Sequence, residues 1–160
     1  MRYKIPVSVL VVVHTRDLQV LLIERARFPG YWQSVTGALD AVGEPPLEAA
    51  ARELREETGI NAGPDALTDW ESSNTFEIFE VWRHRYAPGV RYNVEHVFSL
   101  VLDQAVPVRL APEEHTAFLW LPWEEAAARC FSWTNRDAIL ALPARLSLGT
   151  SGGNPARMRS

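Results

Sequence analysis

The chain has 160 residues, 47% of them hydrophobic, a single cysteine and a formal net charge of −4. One cored domain is the simplest organisation at that length, and the acidic balance argues against a nucleic-acid binder, which needs a basic face for counterion release. The longest apolar run, Val7 to Val13, is far shorter than the ~20 residues that cross a bilayer, and the N-terminus lacks the order of a secretion signal, so a cytoplasmic protein with no membrane partner is expected. Val7 to Val13 is nearly continuous and β-branched, the pattern of a strand covered on both faces; Val20 to Ile23 reads as a second strand, with HTRDLQ turning between them. The stretch ARFPGYWQSVTGALD carries Pro29 and Gly30, and reads as a loop leading into a short strand from about Gln33 to Leu39. Pro45 and Pro46 open a helix that Gly59 closes. Leu67 to Val81 and Val94 to Leu102 read as longer strands joined by RHRYAPGVRYN, followed by a strand at Ala117 to Leu121 and short helices near Trp123 to Arg129 and Asn135 to Leu142. Cys130 has no partner for an internal disulfide and reads as a small buried apolar residue. From Ser147 the Ser-, Gly- and Pro-rich SLGTSGGNPARMRS offers almost nothing to bury, so a domain over 1–146 and a disordered tail over 147–160 are expected. A mixed sheet with helices on its faces, an α/β class, fits this order.

The helix after Pro46 raises a chemical question. At 100° per residue, Leu47, Ala50, Ala51, Leu54 and Thr58 form one apolar stripe. Glu53 and Glu57, four apart, lie along its edge, and Glu56 lies further round towards solvent. A solvated face stitched by Glu48–Arg52 and Arg52–Glu56 pairs accounts for part of the charge, at ~0.2–0.5 kcal/mol per pair. Beside a buried stripe, like charges and desolvation cost more than such pairs return. A hard divalent cation resolves the conflict: Mg²⁺ takes oxygen ligands, and a few carboxylates plus substrate phosphates complete its shell.

Arg52 to Ile60, RELREETGI, with seven residues between Glu44 and Arg52, resembles the Nudix box: Gly, five residues, Glu, seven residues, then Arg-Glu-apolar-x-Glu-Glu-x-Gly-apolar. The chain departs in one place, since six residues separate Gly37 from Glu44. The resemblance implies an α/β/α sandwich with a mixed sheet, and Mg²⁺-dependent hydrolysis of a small-molecule phosphoric anhydride, with Mn²⁺ as the alternative ion. It implies Glu53 and Glu57 as metal ligands, Glu56 as a further ligand or the base acting on water, and Arg52 as the arginine that orients them, partnered by Glu44. Gly37 would let backbone approach closely, and Gly59 closes the box helix.

YKIPVSVLVVV, YWQSVTG, FEIF followed by RHRYAPGV, EEHTAFLWL and SWTNRDAI resemble, in the same order, the bacterial branch of that family acting on dihydroneopterin triphosphate, a pterin of folate biosynthesis. That resemblance implies phosphate contacts from Lys4 and Arg25, contacts from Thr36 and Ser132, and a ring pocket from Phe76, Glu77, Ile78 and Phe79, with Glu114 as a metal ligand outside the box. Arg83, His84, Arg85 and Arg91 make a solvated turn on the simplest account, and on the sharper one they would steer phosphates from their loop. His14 and His115 lack metal-ligand spacing, and Mg²⁺ does not prefer imidazole, so neither is expected in the site. Two other functions share these motifs: hydrolysis of a nucleoside triphosphate such as dATP or an oxidised purine nucleotide, and a non-catalytic ligand-binding domain. Oligomeric state has no signature in the sequence.

Overall fold

The computed structural model describes the backbone of residues 2–153 and the side chains of residues 2–147. Its centre is β1 (Val7–Thr15), whose two faces feed two different cores, which is why its sequence is continuously apolar. Val9, Val11 and Val13 pack with Leu54, Phe98 and Leu100, while Leu10 and Val12 pack with Val97, Ile139 and Leu142 on the other side.

On one side β1 runs parallel to β6 (Tyr92–Leu102), from Val7 opposite Val94 to Thr15 opposite Leu102. The outer edge of β6 carries β5 (Thr68–Glu77), antiparallel, with a bulge between Asp69 and Ser73. The other side of β1 is shared. Its first half pairs with β4 (Val35–Ala38), and His14 near its end pairs with β2 (Gln19–Arg25). β2 in turn carries β3 (Trp32–Gln33) and β7 (His115–Pro122).

Helix α1 (Pro46–Thr58) covers one face of this mixed sheet, and α2 (Trp123–Arg129) and α3 (Trp133–Gly153) cover the other. The α/β/α layering expected from the sequence is therefore present. Helix α1 starts at the proline pair and ends at Gly59, whose φ of 76° is left-handed and whose N–H donates to Arg55 O at 2.9 Å.

Three expectations need correction. The strand expected to reach Val81 stops at Glu77: Ile78 N–H still donates to Arg91 O, but residues Glu80–Arg85 then wind into a 3₁₀ turn. That turn lays Trp82 flat on Phe79, centroids 5.2 Å apart and planes 3° apart. The last helix is much longer than Asn135 to Leu142 and continues across Pro143 to Gly153. Backbone at 147–153, expected to begin a disordered tail, is thus helical, and 154–160 lie outside the described residues. Half-buried Cys130 has its thiol pushed up to about 12 by burial, in keeping with an unreactive apolar role. Among the described residues no helix is long and apolar enough to cross a membrane.

Candidate active site

The acidic helix delivers its carboxylates to one end of a cleft of ≈ 1340 Å³ that runs between α1, β4, the 3₁₀ turn and the start of α3. Arg52 stands behind them as an organiser. Its Nε and Nη2 donate to the two oxygens of Glu44 at 3.0 and 3.1 Å, its Nη1 to Glu53 at 2.9 Å, and its Nη2 also to the Ala38 carbonyl at 3.1 Å. This bidentate grip holds the first glutamate of the box against the loop and keeps Glu53 ionisable. Glu56 reaches Arg52 at 3.3 Å but stays half exposed at the cleft.

Glu57 is buried, only 4% exposed, although it belongs to a helix edge. Thr36 N–H donates to its Oε1 at 3.3 Å, so the strand residue expected to touch substrate holds a carboxylate through its backbone. Gly37 leaves room for Glu53: a Cβ there would run into the Glu53 carboxylate, which would have to shift. Burial pushes Glu53 up to about 7, against the pull of Arg52, and pushes Glu57 well above the usual carboxylate range, where the Glu53 charge adds to the effect.

Glu114, at the start of β7, joins this group from outside the helix. Ligand atoms of Glu57, Glu114 and His115 lie within 4.8 Å of one another. The expectation that His115 stays outside the site is corrected: it is buried there, and burial together with Arg25 pushes it down to about 4, so its imidazole is neutral at pH 7. Acidic groups gathered around a buried carboxylate, with oxygen donors dominating, suit a hard divalent cation, which would remove the repulsion that raises Glu57.

The opposite wall is cationic. Lys4, Arg25 and Arg85 line the cleft together, and burial, with Arg85 and Arg25, pushes Lys4 down to about 8. Arg25 also donates to Gln33 at 3.1 Å and stacks on Trp82, 4.6 Å from its centroid. Cations that depress one another beside an acidic cluster are placed to bind a polyanion.

The remaining expected contacts divide. Phe76, Ile78, Phe79 and Ser132 line the cleft, and Ser132 Oγ also caps α3 by accepting from Asn135 N–H at 3.2 Å. Glu77 does not line it: its carboxylate accepts from Arg83 and Arg91, both at 2.7 Å. The ring-binding role expected of Glu77 is thus displaced by an exposed ion-pair clamp that closes the loop. Arg83 and Arg91 are spent on that clamp, leaving His84 and Arg85 at the cleft.

The cleft also holds residues that the sequence did not single out, Trp82 and Phe131 beside the expected Phe79 among them. Phe79, Trp82 and Phe131 form an aromatic wall with centroids 5.2 to 5.9 Å apart. Beside it stand Ser8, Asn93 and Glu95, with Thr134 and Asn135 from the start of α3. Asn135 clamps Ser34 at both ends, accepting from its N–H at 2.7 Å and donating to its Oγ at 2.9 Å. Among the described residues, the buried side-chain atoms with no hydrogen-bond partner within the protein are Trp82 Nε1, Asn93 Oδ1, Glu95 Oε1 and His115 Nδ1, and all four residues line this cleft. Polar residues at alternate positions of a buried strand, N-x-E in YNVEHV, were the available signal.

The model of the NUDIX domain matches residues 4–142. The chain belongs to the Nudix family. Among its Nudix relatives, the dihydroneopterin triphosphate diphosphatase of Escherichia coli is 44% identical over 140 residues, covering 86% of this chain and 91% of the relative. The Haemophilus influenzae protein of the same name is 38% identical over 143 residues, covering 87% and 88%. The solved structure of the E. coli dihydroneopterin triphosphate pyrophosphohydrolase superposes with a TM-score of 0.80 at 43% identity, over 87% of this chain and 95% of that one. Nudix hydrolases generally use divalent metal ions and act on small-molecule phosphate substrates.

Proposed function

We propose that the chain is a Mg²⁺-dependent pyrophosphohydrolase that converts dihydroneopterin triphosphate to dihydroneopterin monophosphate and pyrophosphate. The observation that carries this reading is a single cleft lined both by clustered carboxylates and cations and by an aromatic wall with buried polar groups. The close relatives named for that activity support it.

In this reading Glu53, Glu57 and Glu114 would hold the cation, with Glu56 beside them on α1. Bound Mg²⁺, or Mn²⁺ in its place, would supply electrostatic stabilisation for charge on the phosphoryl oxygens and the departing pyrophosphate. Lys4 and Arg25 bind phosphate oxygens and align the chain of anhydrides. Glu56, the most open of the box carboxylates, takes a proton from the water that attacks phosphorus, as the α–β anhydride bond breaks and pyrophosphate leaves. Arg52 and the Thr36 N–H fix Glu53 and Glu57 so that neither must reorganise during the reaction. His115, neutral and next to Glu57, adds no charge to the site.

A panel of dihydroneopterin triphosphate, dATP and an oxidised purine triphosphate, followed by pyrophosphate release with and without Mg²⁺, tests the proposal. The pterin substrate is expected to have the highest kcat/KM. Preference for either nucleotide would overturn the substrate, and ligand binding without Mg²⁺-dependent release would point to a non-catalytic domain.

A further inference from the structure

Asn93 and Glu95 are 2% and 5% exposed, yet Asn93 Oδ1 and Glu95 Oε1 have no donor among the described residues. An unsatisfied buried polar atom costs about 1–3 kcal/mol, so two side by side need a reason. Both residues stand on β6 two positions apart, hence on one face of the strand, a spacing of roughly 7 Å.

The orientations are fixed from behind. Asn93 Nδ2 donates to Ser8 Oγ at 2.7 Å, which leaves its carbonyl oxygen as the end turned away from β1. Glu95 accepts from the Thr134 hydroxyl at the start of α3. Phe76 lies directly across from Asn93 in the β5–β6 pairing, and the Phe79, Trp82 and Phe131 rings stand in the same cleft.

We propose that Asn93 and Glu95 are the specificity-determining edge of the ring pocket, accepting hydrogen bonds from the adjacent N–H and NH₂ donors of a 2-amino-4-oxo heterocycle stacked on the aromatic wall. The inference rests on the pterin reading above and names the residues that would enforce it. Two neighbouring acceptors match a ring edge that presents neighbouring donors. An adenine edge, with an acceptor nitrogen beside its amino group, meets one of them with a lone pair, and a site built for donors rejects such a ring. Glu95, with no cation facing it among the described residues, also disfavours a ring edge rich in carbonyls.

The first test needs no variant. Binding of neopterin and of the matching pteridine-2,4-dione, in which a carbonyl replaces the 2-amino group, is measured on the intact protein by quenching of its tryptophan fluorescence. Neopterin should bind at least about tenfold more tightly, the scale of one good bidentate contact. Affinities within about twofold of each other would overturn the proposal.

The second test is Glu95→Gln, verified as folded by circular dichroism. The ratio of kcat/KM for dihydroneopterin triphosphate to that for dATP should fall at least about tenfold, chiefly through KM. An unchanged ratio in the folded variant would also overturn it. Wild-type protein that prefers neopterin over the dione, yet releases no pyrophosphate from the pterin triphosphate, would defeat the hydrolase reading and leave the acceptor edge standing.

Discussion

Glu57 and Glu95 are carboxylates buried to nearly the same depth, 4% and 5% exposed, one on a helix and one on a strand, and both line one cleft. Their surroundings differ in kind. Glu57 has Glu53 and Glu114 beside it, so burial and like charge act together to raise it. Glu95 has Thr134, Asn93 and Ser8 nearby, and burial alone raises it, to about 7. Like charge forced into a low-dielectric site calls for a cation, whereas an isolated buried acceptor calls for a hydrogen-bond donor. The same side chain thus carries two recognitions, of metal-bound phosphates and of a ring, according to its neighbours.

The largest expected effect breaks the acidic end. Glu57→Gln keeps the shape of the side chain and its contact with Thr36 N–H, but removes the charge that would hold a cation. We expect kcat with Mg²⁺ to fall roughly 10²–10³-fold, the scale of losing one preorganised electrostatic contact, with a much smaller change in KM. Full turnover by this variant would falsify the metal assignment at Glu57.

The second effect separates the two carboxylates by pH. Glu95 has a folded-state value of about 7 against 4.5, so the folded protein binds more protons than the unfolded chain between those values. Its stabilising contribution is therefore complete below 4.5 and is lost as pH rises through about 7. Glu95→Gln removes this dependence. Between pH 5 and pH 8, in EDTA, the variant should gain about 2–3 kcal/mol on the wild type, since a tenfold difference in proton affinity between the folded and unfolded states is worth ~1.36 kcal/mol. Burial also pushes His14 and His115 down, but both are common to the two proteins, so their contributions cancel in the difference. Thermal unfolding curves of the two proteins that move in parallel with pH would show that Glu95 is solvated as ordinarily as an exposed glutamate.

The acidic end was legible because its logic is local. Glu44, Arg52, Glu53, Glu56 and Glu57 lie within one helix and its approach, so helical spacing alone brings them together, and Gly59 marks their limit. The ring end is assembled across the chain. Asn93 meets Ser8 across 85 positions, and Asn135 meets Ser34 across 101, through strand pairing and helix docking that no short window contains. His115 escaped for the same reason: it has no ligand spacing with Glu57, and only the β2–β7 pairing carries it there. FEIF misled in the opposite direction. Its alternation is that of a strand, but the aromatic stacking of Phe79 on Trp82 and the Arg83–Glu77–Arg91 clamp bend the chain after Glu77 and turn its carboxylate away from the pocket.

The smallest effect concerns the extra residue between Gly37 and Glu44. Both ends of that segment are fixed independently of its length. Gly37 pairs with Val9 and abuts Glu53, while Glu44 is gripped by Arg52. Between them Asp40 N–H donates to Glu44 Oε1 at 2.7 Å and Glu44 N–H to Ala41 O at 3.0 Å, closing a turn from which Val42 projects, 87% exposed. The added residue is therefore absorbed in a bulge at the mouth of the cleft, which Ala41 and Val42 help to line, and leaves the carboxylates in place. Deleting Val42 should leave Mn²⁺ affinity, measured by titration calorimetry, within about twofold, as for a surface change, while KM for the triphosphate rises. Loss of Mn²⁺ binding on this deletion would mean that the loop, rather than Arg52 and the strand pairing, sets the carboxylate geometry.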